Sequence, residues 1–299
     1  MKRFLSLSQF TQGACLLACA VLLLTACSKA TEFEYIDEVV TSDDDEPTVV
    51  VTDENGNETT LPEGAMIGIY VIDSDGNVTL LQVEVDENGN AVLPTTNQGE
   101  TIIAYTPYQE EWGDSALMTM PAFTVESNQT TEELYRASDL MIGISGQHTR
   151  AAEAPMRFIH MLSKVAIHVV DETGRVKLES ISAELLNVNN SVTVDLMHQH
   201  VSTIDSLRAS ISMLSEMTTD WRISSYAIVA PQFIGEGTTF FAITLYGNRQ
   251  LYPIPQASQL EGGKTYTINM RLTEHGLILD GWYITDWDDT TENDIDVKV

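Results

Sequence analysis

Cys27 is the residue of this chain with the most definite chemistry. It follows a basic start (Lys2, Arg3) and an apolar stretch from Ala14 to Leu24, and it closes the run Leu24-Thr25-Ala26-Cys27. A membrane span needs roughly 20 apolar residues, so this shorter stretch reads as a secretory signal peptide. Its ending has the form of a bacterial lipobox, in which the cysteine thiol is acylated and the chain is cut just before it. Cys15 and Cys19 fall in the removed residues 1–26, which leaves Cys27 as the lone thiol and rules out a disulfide within the mature chain. Each buried acyl CH2 contributes about 0.8 kcal/mol of membrane affinity, and two or more chains anchor stably. The expectation is a lipid anchor at Cys27.

Three other constellations could do chemistry, and each has a simpler reading. His198 and His200 would project to one side of a strand, as a metal pair does, but the nearest acid, Asp195, falls by parity on the other face. Asp286, Asp288 and Asp289 flank Trp287 as a glycosidase carboxylate pair might flank a sugar platform; a strand exit with a core tryptophan accounts for them more simply. Asp53-Glu54-Asn55-Gly56-Asn57, Asp73-Ser74-Asp75-Gly76-Asn77 and Asp86-Glu87-Asn88-Gly89-Asn90 echo the oxygen spacing of a calcium loop. In the second of these, however, glycine stands fourth rather than sixth, and Glu84 lies on an alternating run that leads away from the turn. Asx-Gly turns between β-branched runs are hairpin signals. The six histidines never accompany a serine in a nucleophile elbow, and there is no glycine-rich phosphate loop. No enzyme, metal or cofactor is expected.

The elements that must carry these residues are short. Val49–Val51, Ile67–Ile72, Val78–Val85, Thr101–Tyr108 and Asp139–Ile144 read as strands, with Trp112 and Phe123 as core anchors between them. The small, polar stretch Gly146–Pro155 reads as a domain boundary. Beyond it, strand patterns recur at Met156–Val170, Ile181–Val188, Val192–Leu196, Tyr226–Ala230, Thr239–Tyr246, Lys264–Leu272 and Leu277–Trp287. Ile204, Leu207, Ile211, Leu214 and Met217 have helical spacing and predict the one helix. The fold class expected is all-β, as two tandem β-sandwiches, at 48–150 and 151–299, behind an acidic leader at 27–47. Ile295, Val297 and Val299 alternate with charged residues and predict a last strand. With 44 acidic against 15 basic residues and a net charge of −29, nucleic acid and anionic lipid faces are poor partners.

Several segments, taken in order, resemble the fimbrillin-like family of Bacteroidales, the type V pilins and their accessory subunits. They are the lipobox at Cys27, Ala104-Tyr105-Thr106-Pro107-Tyr108, Phe158-Ile159-His160-Met161-Leu162-Ser163-Lys164-Val165, Gly263-Lys264-Thr265-Tyr266 and Ile284-Thr285-Asp286-Trp287. The resemblance implies two transthyretin-like sandwiches and a structural role, with subunits joined by strand exchange into adhesive fibres on the outer membrane. It also implies that the C-terminal strand with Ile295, Val297 and Val299 is a donor. One departure stands out. Polymerising members are cut after a basic residue beyond their first strand, and here Lys29 is the only basic residue between Cys27 and Arg136. Either the protein is an uncleaved anchor or accessory subunit, or its maturing protease has a different specificity. The rival class is a surface glycan-binding lipoprotein using Trp112, Trp221, Trp282 or Trp287, whose apolar or strand-like settings favour burial.

Overall fold

Short β-branched and aromatic runs between Asx-Gly turns fold as the sequence demands, into strands. A computed structural model describes residues 48–49, 51–52, 58–59, 61–87, 91–92, 100–144, 158–217 and 222–287. The first half holds Thr48–Val49 (β1), Val51–Thr52 (β2), Glu58–Thr59 (β3), Met66–Ile72 (β4), Val78–Glu84 (β5) and Ala91–Val92 (β6). Thr101–Thr106 (β7), Ala122–Thr124 (β8), Met141–Ile144 (β9) and Phe158–His160 (β10) follow. The second half holds Ser163–Asp171 (β11), Ile181–Asn189 (β12), Ser191–Asp195 (β13), His200–Thr203 (β14), Arg208–Ser212 (β15), Leu214–Met217 (β16) and Arg222–Val229 (β17). It closes with Gln232–Ile234 (β18), Thr239–Leu245 (β19), Asn248–Pro253 (β20), Ser258–Leu260 (β21), Lys264–Thr273 (β22) and Gly276–Asp286 (β23). The protein is an all-β sandwich fold.

One five-stranded sheet runs β10-β9-β7-β4-β5, antiparallel throughout. Tyr70, Ile103, Tyr105 and Ile142 face one core, while Ile67, Ile69, Ile102, Ala104 and Phe158 face another. Burial on both faces is why these strands read as continuous apolar runs rather than alternating ones. Gly68 sits beneath the Tyr105 ring, where a Cβ would lie 2.2 Å from a ring carbon, so the aromatic packing requires glycine there.

The second half is a sandwich of β16-β17-β11-β22-β23 on β15-β12-β19-β20. Its first sheet is antiparallel except for β11 and β22, which run parallel. One flank is closed by a single stretch of chain: β15 pairs with β12, and β16 pairs with β17. The switch occurs at Met213, whose N–H donates to the Ala183 carbonyl at 3.0 Å.

Three expectations are corrected here. The predicted helix through Ile204 and Met217 is instead the end of a turn followed by β15 and β16. Its apolar residues do not share a face, since Ile211 is buried while Leu207 and Met217 are exposed. Strand–turn–strand geometry reproduced a helical spacing. Of the Asx-Gly turns expected to be hairpins, the third has residues 88–90 outside the described ones, and the β6 that follows it pairs with β1. The second is one: the Asp73 carboxylate accepts from the N–H groups of Asp75 (2.9 Å) and Asn77 (2.8 Å) and from Asn77 Nδ2 (2.7 Å). Those bonds, the Asn77 side chain first, hold its carboxyl below the usual range and turn its oxygens towards the protein's own donors. Phe158–His160, read as opening the second sandwich, instead completes the first sheet beside β9. Finally, Asp195 and His198 are not on opposite faces, because the chain turns between β13 and β14 and brings His198 Nδ1 to 2.9 Å from Asp195 Oδ2.

The two halves exchange strands. β10 lies in the first sheet, β8 pairs with β13 of the second half, and Asn128 bridges to Ser212. One hydrophobic cluster runs from Tyr70 to Trp287, and residues 46–299 form one compact unit. The boundary expected at 146–155 lies outside the described residues.

Candidate functional site

Cys27 and the strand Ile295, Val297 and Val299 lie outside the described residues, as do Trp221, Asp288 and Asp289. The remaining segments singled out in the sequence, far apart along the chain, meet at one junction between the first sheet and the second half.

His160 ends β10. Its Nδ1 lies 2.8 Å from Asp139 Oδ1, with the two side chains only 15% and 16% exposed. Asp139 is presented by the short helix Glu132–Arg136, whose Arg136 carbonyl accepts its N–H. The imidazole stacks on the Trp287 indole with centroids 4.2 Å apart and planes 11° from parallel. Trp287 is fixed from below by its own N–H, which donates to the Gly263 carbonyl, and Gly263 N–H donates to the Leu162 carbonyl. A Cβ at Gly262 would lie 2.5 Å from the Met161 carbonyl oxygen, so this close approach requires glycine. Ser163 Oγ donates to the Glu261 carbonyl at 2.7 Å. Lys164 Nζ stands 5.7 Å from the Trp287 ring centroid and 5.2 Å from that of Tyr226, within cation–π range of both. Lys264 pairs with Asp286.

Two clefts flank His160. One, of about 1000 Å³, is walled by Met66, Pro107, Tyr108, the helix Glu132–Arg136, Asp139 and Trp287. The other, of about 530 Å³, is walled by Gln199, His200, Pro231 and Glu261. Burial, reinforced by the facing carboxylate of Asp139, pushes the Tyr135 hydroxyl well above its ordinary value, so it stays protonated. Among the described residues no group of three or more His, Cys, Asp or Glu side chains could hold a metal ion. His198 binds Asp195, and His200 lies 3.4 Å from Ser202 Oγ.

The described tryptophans are built into the core. Trp112 is 2% exposed, packs against Tyr105 at a tilt and Phe123 edge-on, and donates Nε1–H to the Ala122 carbonyl at 3.3 Å. Trp282 packs on Phe240 and Tyr266, and Trp287 is 9% exposed. None is an open platform for a sugar. Sequence reasoning missed Asp139, Gln129 and Gly262. Only Gly262 carried a signal, as half of a Gly-Gly pair before a strand.

A model of the family described as fimbrillin-like matches residues 41–287. The chain belongs to this family. Among solved structures, a candidate cell adhesion protein from Bacteroides ovatus superposes with a TM-score of 0.61 at 14% identity, over 80% of this chain and 96% of that one. A second, from Bacteroides uniformis, gives 0.57 at 17% identity, over 82% and 100%. At these identities the likeness is one of fold. No curated protein sequence matches this fimbrillin-like chain. Family membership brings with it a fimbrial and adhesive role at the cell surface.

Proposed function

We propose that this protein is a non-enzymatic structural subunit or anchor of surface fimbriae, held in the outer membrane by lipid on Cys27 and joined to neighbouring subunits by strand exchange. The observation that carries this reading is the family match over 41–287, whose four resembling segments within that span come together at the His160–Trp287 junction. They do work there as a structural joint, with backbone bonds and ring stacking instead of reactive groups. β23 supports the strand-exchange part. Among the described strands it lies at its sheet's edge, eleven residues long and without lysine or proline, two residues that blunt such edges. The alternating residues Ile295, Val297 and Val299 follow it in sequence and fit addition to a neighbour's sheet edge. The absence of Lys and Arg between Lys29 and Arg136 favours an anchor or accessory subunit over a proteolytically matured shaft subunit.

Two variants test the two parts. Deleting residues 294–299 should abolish assembly into fibres, read by electron microscopy of sheared surface material, while circular dichroism stays that of the folded protein. Undiminished fibres would overturn strand donation. Cys27→Ala should move the protein from the membrane fraction to the soluble one, and unchanged fractionation would overturn the lipid anchor.

A further inference from the structure

His160 occupies a position that structural support alone does not demand. Its ring stacks on Trp287, and it reaches Asp139 from the opposite element at the same time. Both partners respond to one proton. With the imidazole protonated, the 2.8 Å contact becomes an ion pair shielded from solvent, and the stack becomes a cation on an indole face, the strongest of the aromatic acceptors. With it neutral, the contact is a single neutral-donor hydrogen bond and the stack an uncharged one. Imidazole is the side chain whose charge changes between about pH 5 and 8.

We propose that His160 is a proton-operated clamp on Trp287, tightening the end of β23 against β10 as pH falls and loosening it as pH rises. What the clamp governs follows from where Trp287 stands. It precedes Ile295, Val297 and Val299 in sequence, so the clamp sets how firmly the chain is held on the near side of them. This consequence rests on the strand-exchange reading above; the clamp itself does not.

The charged groups around His160 define the window. Asp139 favours the imidazolium directly, and Glu63 and Glu133 line the same cleft. Glu132 is engaged by Arg136 at 2.5 Å, and Asp286 by Lys264, so each of those pairs contributes little net field. Lys164, on the same indole, opposes a second positive charge. Glu261 and His200 line the cleft on the other side, one favouring and one opposing. Carboxylates outnumber cations, so the protonated clamp is the form that acidification selects.

The test is intrinsic fluorescence of the full mature chain, titrated from pH 8 to pH 5 at low ionic strength. A stacked imidazolium quenches an indole, so wild type should lose emission sigmoidally. The loss attributable to Trp287 is the part absent from Trp287→Phe. His160→Gln retains a hydrogen-bonding side chain but cannot take a proton, and it should abolish that part of the titration while circular dichroism is unchanged. Asp139→Asn should keep the stack and move the midpoint to lower pH. Hydrogen exchange of residues 283–287, corrected for intrinsic rates, should be several-fold slower at pH 5.5 than at pH 8 in wild type and equal in His160→Gln. A titration that survives His160→Gln, or exchange independent of pH in wild type, overturns the clamp. Neither readout involves assembly, so a failed strand-deletion experiment and a failed clamp experiment are distinguishable.

Discussion

At the scale of single residues, stability in this protein comes from polar groups consumed by their own turns. Asp171 ends β11 and is 5% exposed. Its Oδ1 accepts from Thr173 N–H (2.9 Å) and Thr173 Oγ (2.6 Å), and its Oδ2 accepts from the N–H groups of Arg175 and Val176, both at 2.9 Å. Burial raises the pKa of this carboxyl, but the hydrogen bonds outweigh it and the net displacement is downward. A depressed carboxyl contributes stability that is present above its unfolded value, near 3.9, and lost as pH falls through its folded value. Replacing Asp171 with Ala should therefore cost about 2 kcal/mol at neutral pH. The gap to wild type should narrow below about pH 4, as read from urea midpoints at pH 7 and pH 3. An equal gap at both would show that the carboxylate charge plays no part. The sequence made such a turn legible at Asp73, through Asp followed by Gly. It could not reveal Asp139 beside His160, because a contact across 21 residues leaves no local pattern.

Between elements, the feature that decides the sandwich's closed flank is a side chain standing in for a strand. β16 pairs with β17 only as far as Leu214 opposite Tyr226, so Ile228 has no strand on that side. Gln129, wholly buried, supplies both missing bonds. Its Oε1 accepts from Ile228 N–H at 2.8 Å, and its Nε2 donates to the Ile228 carbonyl at 2.9 Å and to the Glu126 carbonyl at 3.0 Å. An unsatisfied buried backbone group costs roughly 1–3 kcal/mol, so Gln129→Leu, which orphans two, should destabilise by about 3 kcal/mol. Denaturant unfolding checks this, and a loss under about 0.5 kcal/mol would mean that water or a neighbour replaces the amide. Strands such as β4, β7 and β11 were legible because burial on both faces writes an apolar run into the sequence. The stretch 204–217 was not, because a chain that changes sheets at Met213 has no single period. Its apolar residues at 207, 211, 214 and 217 answer to a turn and two different sheets, and the sum imitates a helix.

For the whole molecule, the question is whether the halves are separable. The division into sandwiches at 48–150 and 151–299 follows composition and the Gly146–Pro155 stretch. The strands do not respect that line. A chain cut at 150 leaves β10 on the C-terminal piece, although β10 completes the N-terminal sheet beside β9. The same cut takes β8 away from β13, and Gln129 away from Ile228. It also divides a core in which Tyr105, Trp112 and Phe123 belong to the same cluster as Val192, Phe241 and Trp287. Small sheets with an open edge and an uncovered face seldom persist alone. Residues 46–299 should therefore unfold in one cooperative transition, with near-ultraviolet and far-ultraviolet dichroism changing together. The piece 151–299, expressed by itself, should lack a cooperative transition and protected amides, because it carries an unpaired β13 edge and an orphaned Ile228. If that piece folds with its own sharp transition, the exchanged strands are ornament on two self-sufficient sandwiches. If it fails alone, each half is completed only by the other, and the His160–Trp287 junction stands where their strands cross over.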